Sequence, residues 1–213
     1  MEAAVESGDA KKVAEMIRQD PGFKVNMALD GYGSTLLHYA CQGDSRSAVI
    51  PLLLAHPDID VNAKNEFGHT PFYLACIFGR PSCVREMLKD SRVKVNEPRT
   101  DGITPLWIAS YYGHLDVIKW WIASGREIDL GTPGNKTDAI GGAKKEGKTE
   151  VVSLLERFKS DDAAKTRSEV RKELGINGQY PYSYYYSILS YSRPFSFSVH
   201  DLLFFTPHHF FTL

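Results

Sequence analysis

Small and apolar positions recur along the first 158 residues with a period near 34. Alanines stand at Ala4, Ala40, Ala75, Ala109 and Ala143, spaced 36, 35, 34 and 34 apart. Glycines follow in phase at Gly8, Gly43, Gly79, Gly113 and Gly147. Valines at Val13, Val49, Val84, Val117 and Val151 each precede an apolar pair, such as Leu52-Leu53, Met87-Leu88 or Trp120-Trp121. A fourth series, Val25-Asn26, Val61-Asn62 and Val95-Asn96, with Ile128-Asp129 as a degenerate copy, joins one unit to the next. Such self-similarity is the mark of a repeat array, and it decides the fold before any single residue does.

The pattern inside one unit predicts two short helices. In Gly102–Gly113, G-I-T-P-L-W-I-A-S-Y-Y-G, Thr104 stands at an N-cap or first-turn position and Pro105 in the first turn, where its missing N–H costs nothing. Leu106 and Ala109 share a face, and Gly113 ends the helix. Val117, Trp120 and Trp121 then mark the apolar face of a second helix, with the tryptophans packing in place of a leucine pair. Neither helix is long enough to persist alone in water. Stacking must supply the stability, with Leu37, Phe72, Leu106 and Ile140 in one row and the alanines in another.

Three copies carry a T-P-L-H-x-A-like core: Thr35-Leu36-Leu37-His38 with Ala40, Thr70-Pro71-Phe72-Tyr73 with Ala75, and Thr104-Pro105-Leu106-Trp107 with Ala109. With the period and the G-x-T opening, this resembles the ankyrin repeat over roughly residues 1–158. The resemblance implies an all-α solenoid of stacked helix pairs with connecting β-hairpin fingers. The family's histidine ties adjacent loops by hydrogen bonds. It is present as His38, while Tyr73 and Trp107 replace it, so two of three copies are expected to lose the tie and gain aromatic surface.

The chain divides accordingly. Residues 1–24 read as an N-terminal capping repeat, 25–60, 61–94 and 95–130 as three full repeats, and 131–160 as a degenerate C-terminal repeat. In that last unit Gly141 and Gly142 imply close packing on the third repeat. Residues 161–175 read as a C-terminal capping helix, with Ala163, Arg167, Val170 and Leu174 on one face; an alternative is a helix that extends toward a partner. Residues 176–213 break the pattern: they hold six of eleven tyrosines and six of eleven phenylalanines, interrupted by Pro181, Pro194 and Pro207. Three readings are open there: a segment wrapped over the array, a disordered recognition tail, or sequence never selected to fold.

Composition narrows the function. Lys and Arg number 25 against 26 Asp and Glu, which disfavours a dedicated nucleic-acid binder. Cys41, Cys76 and Cys83 are an odd set without tight spacing, giving neither a disulfide framework nor a metal knuckle, and a reducing compartment fits. The start carries no signal-peptide pattern and no stretch suits a membrane span. The glycine pair followed by Lys144-Lys145 lacks P-loop spacing. No carboxylate, serine or cysteine recurs with the histidines as a catalytic set. The expectation is no enzyme, no cofactor, no metal site and no small-molecule substrate, in a monomer of the cytoplasm or nucleus unless the aromatic tail drives association.

Function is sought on the variable face. The resemblance places the concave groove at the fingers and first helices. There Tyr32, Glu66, Phe67, His69, Tyr73, Ile77, Phe78, Asp101, Ile103, Trp107, Tyr111 and Tyr112 are the expected protein-binding residues, rimmed by Glu66, Arg99 and Asp101. Aromatic side chains suit this role because they offer large contact area at low entropy cost. The leading expectation is a non-catalytic protein-interaction module or scaffold. Alternatives are an inhibitor that occludes a target enzyme, and a nucleic-acid accessory protein using Lys144, Lys145, Lys148, Arg167, Arg171 and Lys172. Asn26, Asn62 and Asn96 read as caps of the inter-repeat loops, and the resemblance permits their hydroxylation.

Overall fold

The threonine–proline openings set where each first helix begins. Thr70 Oγ1 accepts the Tyr73 N–H at 3.1 Å and Thr104 Oγ1 accepts the Trp107 N–H at 3.2 Å, with Pro71 and Pro105 at the first helical position. In the fourth copy Asp138 takes over, its Oδ1 accepting the Gly141 N–H at 2.8 Å. The computed structural model describes residues 1–20, 22–131, 137–160 and 162–177. Residues 178–213, and with them nearly all of the aromatic tail, lie outside these, as do Thr132, Pro133, Gly134 and Asn135.

The described residues form first helices α1 (Glu2–Glu6), α3 (Leu36–Cys41), α5 (Pro71–Ile77), α7 (Pro105–Tyr112) and α9 (Ala139–Lys145). These alternate with second helices α2 (Ala10–Gln19), α4 (Ile50–Leu54), α6 (Pro81–Leu88), α8 (Leu115–Ser124) and α10 (Thr149–Lys159), and α11 (Ala163–Glu173) follows. A 3₁₀ segment, Asp44–Val49, leads into α4, where Pro51 sits in the first turn. First helices pack on first helices in the order α1, α3, α5, α7, α9, and second helices pack likewise. The alanine series lies at the line of closest approach: Ala40, Ala75, Ala109 and Ala143 are fully buried and Ala4 is nearly so. Leu37, Phe72, Leu106 and Ile140 are buried beside them. Trp121 is fully buried, its ring edge-on to Phe72 at 5.1 Å and its indole N–H on the Glu127 carbonyl at 3.1 Å. Trp120 is only half-buried, under the Arg85 guanidinium.

The expected β-hairpin fingers do not form: no strand occurs among the described residues. Each loop closes with one backbone bond in one direction: Leu29 N–H to Ser34 O at 2.8 Å, Asn65 N–H to His69 O at 3.1 Å, and Arg99 N–H to Ile103 O at 2.9 Å. The return bond that would make a ladder is diverted to a side chain. Asp30 Oδ1 takes the N–H groups of Tyr32 and Ser34, both at 2.9 Å. Asn65 Oδ1 takes those of Phe67 and His69, both at 3.1 Å. These residues compete locally with strand pairing, and here the local turn wins.

Between repeats, basic side chains cap the C-terminal carbonyls of the preceding helices, where the helix dipole favours a cation. Arg80 donates to Gln42 O at 2.8 Å and His114 to Ile77 O at 3.0 Å, at the ends of α3 and α5. Arg92 donates to Leu54 O at 2.7 Å, at the end of α4. Arg126 donates to Asp90 O at 2.8 Å, Leu88 O at 3.5 Å and Val93 O at 2.5 Å, beyond the end of α6. Gly79 shows why the junction is tight: its φ is +60°, and a Cβ there would meet the His114 ring at 2.4 Å.

The asparagines add a second tie. Asn26 donates to Asp58 O and accepts the Asp60 N–H; Asn62 donates to Arg92 O and accepts the Lys94 N–H; Asn96 bridges Glu127 O and the Asp129 N–H. Each bond joins equivalent loops of neighbouring repeats. α11 packs on α8 and α10 through Val170 and Thr166, and its Arg167 and Arg171 donate to Ile122 O and Ala123 O at 3.2 and 2.7 Å. The three cysteines are free and buried, and burial raises all three thiol pKa values, that of Cys83 to about 12.

Arg126→Ala leaves several carbonyls uncapped at one junction, at a cost of about 2 kcal/mol. Equilibrium urea unfolding is expected to show that loss, while Arg18→Ala, at an exposed pair on α2, leaves the midpoint nearly unchanged.

Candidate protein-binding surface

Two runs of rings follow from the repeat register. Neighbouring loops join through the Glu66 N–H and Tyr32 O at 2.8 Å, which brings the Tyr32 and Phe67 rings to 5.2 Å. Phe67 then lies 5.9 Å from His69, and His69 stacks on Tyr73 at 4.9 Å with an interplanar angle of 7°. In the next repeat Trp107 stacks on Tyr111 at 5.1 Å. Tyr111 meets Tyr112 edge-on at 5.4 Å, and Tyr112 lies 5.9 Å from His114.

The residues expected at the surface divide by depth. Tyr32, Glu66, Phe67, Phe78, Asp101 and Tyr112 are exposed. His69, Ile77, Ile103, Trp107 and Tyr111 are half-buried, and Tyr73 is fully buried. Five large apolar side chains are exposed among the described residues: Met27 at 55%, Tyr32 at 55%, Phe67 at 51%, Phe78 at 45% and Tyr112 at 49%. Four of these five occupy loop-tip or first-helix positions, so the unburied apolar surface is concentrated there.

The histidine position behaves differently from the expectation of two lost ties. His38 Nδ1 accepts the Thr35 N–H at 3.0 Å, which puts the ring proton on Nε2, and Nε2 donates to His69 O at 3.0 Å. Trp107 keeps the same tie, its indole N–H reaching Thr137 O at 2.9 Å. An indole places a donor N–H far enough from Cβ to do what the imidazole does. The packing that admits it is visible at Gly142, where a Cβ would meet the Trp107 ring at 3.1 Å. Gly141 has a different reason: its Cβ would meet Thr137 within the same loop at 2.6 Å. Only Tyr73 loses the tie, its buried hydroxyl having no hydrogen-bond partner. The His69 Nε2 of the ring stacked on it is also buried without one.

The electrostatics follow from this packing. Burial pushes the Tyr73 hydroxyl pKa up to about 12. Burial also depresses His38 and His69, which favours the neutral ring in each. The hydrogen bonds from Arg99 bring Asp101 down to about 2, and that pair lies within electrostatic reach of Tyr73. Sequence reading missed Tyr39, which is half-buried and donates to Asp30 Oδ2 at 3.2 Å, with Glu2 and Glu6 close enough to act on its hydroxyl. It also missed the basic caps, although Arg46, Arg80 and His114, which donate to Glu6 O, Gln42 O and Ile77 O, repeat at spacings of 34.

Several of the cations at 144–172 have structural partners. Lys144 pairs with Glu156 at 2.7 Å, and Arg167 and Arg171 cap α8. Among the described residues no group of three or more His, Cys, Asp or Glu is placed to hold a metal ion, and no helix is long and apolar enough to cross a membrane.

This stack of helix pairs, tied loop to loop at the ankyrin histidine position, has an ankyrin-repeat architecture: the family model for ankyrin repeats matches residues 47–132. That architecture is a protein-interaction scaffold and not a catalytic fold. Among curated proteins the chain is similar to the SMC5-SMC6 complex localization factor protein 1 of Homo sapiens and of Bos taurus. The two are 38% and 37% identical over 98 residues, covering 46% of this chain and 9% of each relative. It is also 32% identical over 100 residues to a putative ankyrin repeat protein of Rickettsia bellii, covering 47% of this chain and 54% of that one. The chain thus spans about a tenth of the length of the localization factors it matches.

Two outcomes test the histidine position. Tyr73→His places a donor within reach of the next loop and is expected to raise stability by about 1 kcal/mol, whereas Trp107→Phe lowers it by a similar amount; thermal unfolding of both variants reads the difference. Protonation gives the second. Folding depresses His38 below its ordinary value of 6.5, so the unfolded chain takes up the proton first. The stabilising share is complete above that value and is lost as pH falls below it. His38→Gln is expected to flatten the fall in stability between about pH 7 and pH 5, measured by urea unfolding across that range.

Proposed function

We propose that the chain binds protein partners through the face made by its loop tips and first helices, presenting a preformed surface. The observation that supports this reading is the placement of Tyr32 with Phe67 and of Phe78 with Tyr112, exposed at two repeat-equivalent positions, while the other large apolar side chains of the described residues, Met27 apart, are buried or half-buried. A monomeric soluble surface rarely gathers large apolar groups without a partner to cover them. The scaffold beneath is tied at each junction by caps and asparagine bridges, so little ordering cost falls on binding. The role is recruitment of one protein to another. The similar protein of Homo sapiens is, by its name, a localization factor of the SMC5-SMC6 complex.

The test substitutes only exposed rings. Phe67→Ala, Phe78→Ala and Tyr112→Ala together remove surface without touching the buried Tyr73 or the tied Trp107. Affinity capture from cell extract followed by mass spectrometry is expected to lose most wild-type partners with the triple variant, at unchanged helical circular dichroism. Capture of the same set at equal yield would place the binding surface elsewhere.

A further inference from the structure

Resting on that reading, we propose that the Tyr32–Phe67 platform and the adjoining carboxylates accept a lysine- or arginine-bearing extended segment of a partner protein. The argument is one of charge left over after internal pairing. Arg99 is bound to Asp101, and Lys64 is held by Glu97 at 2.7 Å and Pro98 O at 3.1 Å, so these two cations of the second and third loops are paired internally, while Lys94 at the start of the third loop forms no ion pair among the described residues. No ion pair among the described residues engages Glu2, Glu6 or Glu66.

These carboxylates share the side of the array that carries the rings. Glu66 directly precedes Phe67, and its N–H is bonded to Tyr32 O. Glu2 and Glu6 act on Tyr39, whose hydroxyl is held by Asp30 of the first loop, two residues before Tyr32. The surface therefore offers exposed aromatic faces beside carboxylates that form no ion pair among the described residues, the nearby Arg46 donating to the Glu6 and Tyr39 carbonyls. A cationic side chain satisfies both: the ring quadrupole attracts it and the carboxylate neutralises it. An acidic segment would meet the like charge of Glu66, with Lys64 and Arg99 already paired internally.

Fluorescence anisotropy with the whole chain tests this with defined probes: a labelled peptide of about twelve residues bearing three lysines among glycine and serine, and counterparts with glutamine or glutamate at the three positions. The lysine probe is expected to bind at least about tenfold more tightly than the glutamine probe and to weaken as salt rises. Glu66→Lys and Phe67→Ala are each expected to weaken it about fivefold, with helical circular dichroism confirming that both variants fold. Equal binding of the probes, preference for the glutamate probe or for a single-stranded oligonucleotide, or indifference to both substitutions overturns the proposal. If the lysine probe fails while the triple aromatic variant still loses its captured partners, the surface stands and only the cationic partner falls.

Discussion

Each helix among the described residues is five to eleven residues long, and α1, α3, α4, α5, α6 and α8 have carbonyls at their C-terminal ends bonded from a later element. Isolated helices of that length do not pay for their own nucleation. Here the second cost, unsatisfied C-terminal carbonyls, is met across the junction by Arg80, His114, Arg92 and Arg126, and finally by Arg167 and Arg171 of α11. The same contacts that stabilise a helix therefore also set the spacing of its neighbour. Stability and register become one property.

That division of labour explains the surface. Small residues occupy the line where helices meet, because Ala75 and Ala109 allow α5 and α7 to approach closely. Large apolar residues are buried where they fill the space between repeats, as Phe72 and Trp121 do against each other. The loop tips lie outside that helical packing. They are shaped by Asp30 and Asn65 turning the backbone on itself, and they join neighbouring loops while leaving Tyr32 and Phe67 exposed. The exposed loop-tip positions can then vary without loosening the stack, as a repeat array allows.

The histidine position shows the limit of reading by residue type. Histidine, tyrosine and tryptophan at equivalent positions suggested one tie kept and two lost. The array keeps two, because what matters is whether a donor N–H reaches the neighbouring carbonyl, and an indole does. Tyrosine reaches into the packed interior and finds no acceptor. The hairpin fingers failed for a related reason: strand pairing expected from family resemblance was pre-empted by side-chain acceptors four residues away. Trp120 and Trp121, adjacent and chemically identical, ended at different depths because a helix turns 100° between them.

The sequence by itself determined the repeat, its phase, the helix starts at threonine and proline, the buried alanine and leucine rows, and the loop role of the asparagines. All of these are local or strictly periodic, and periodicity survives in one dimension. Tertiary structure alone decided which aromatics are surface and which are core, which basic residues are caps, and which carboxylates remain without a partner. Those outcomes depend on where atoms some 30 to 48 positions apart meet across a junction, and side-chain reach at that distance is a property of the packed stack.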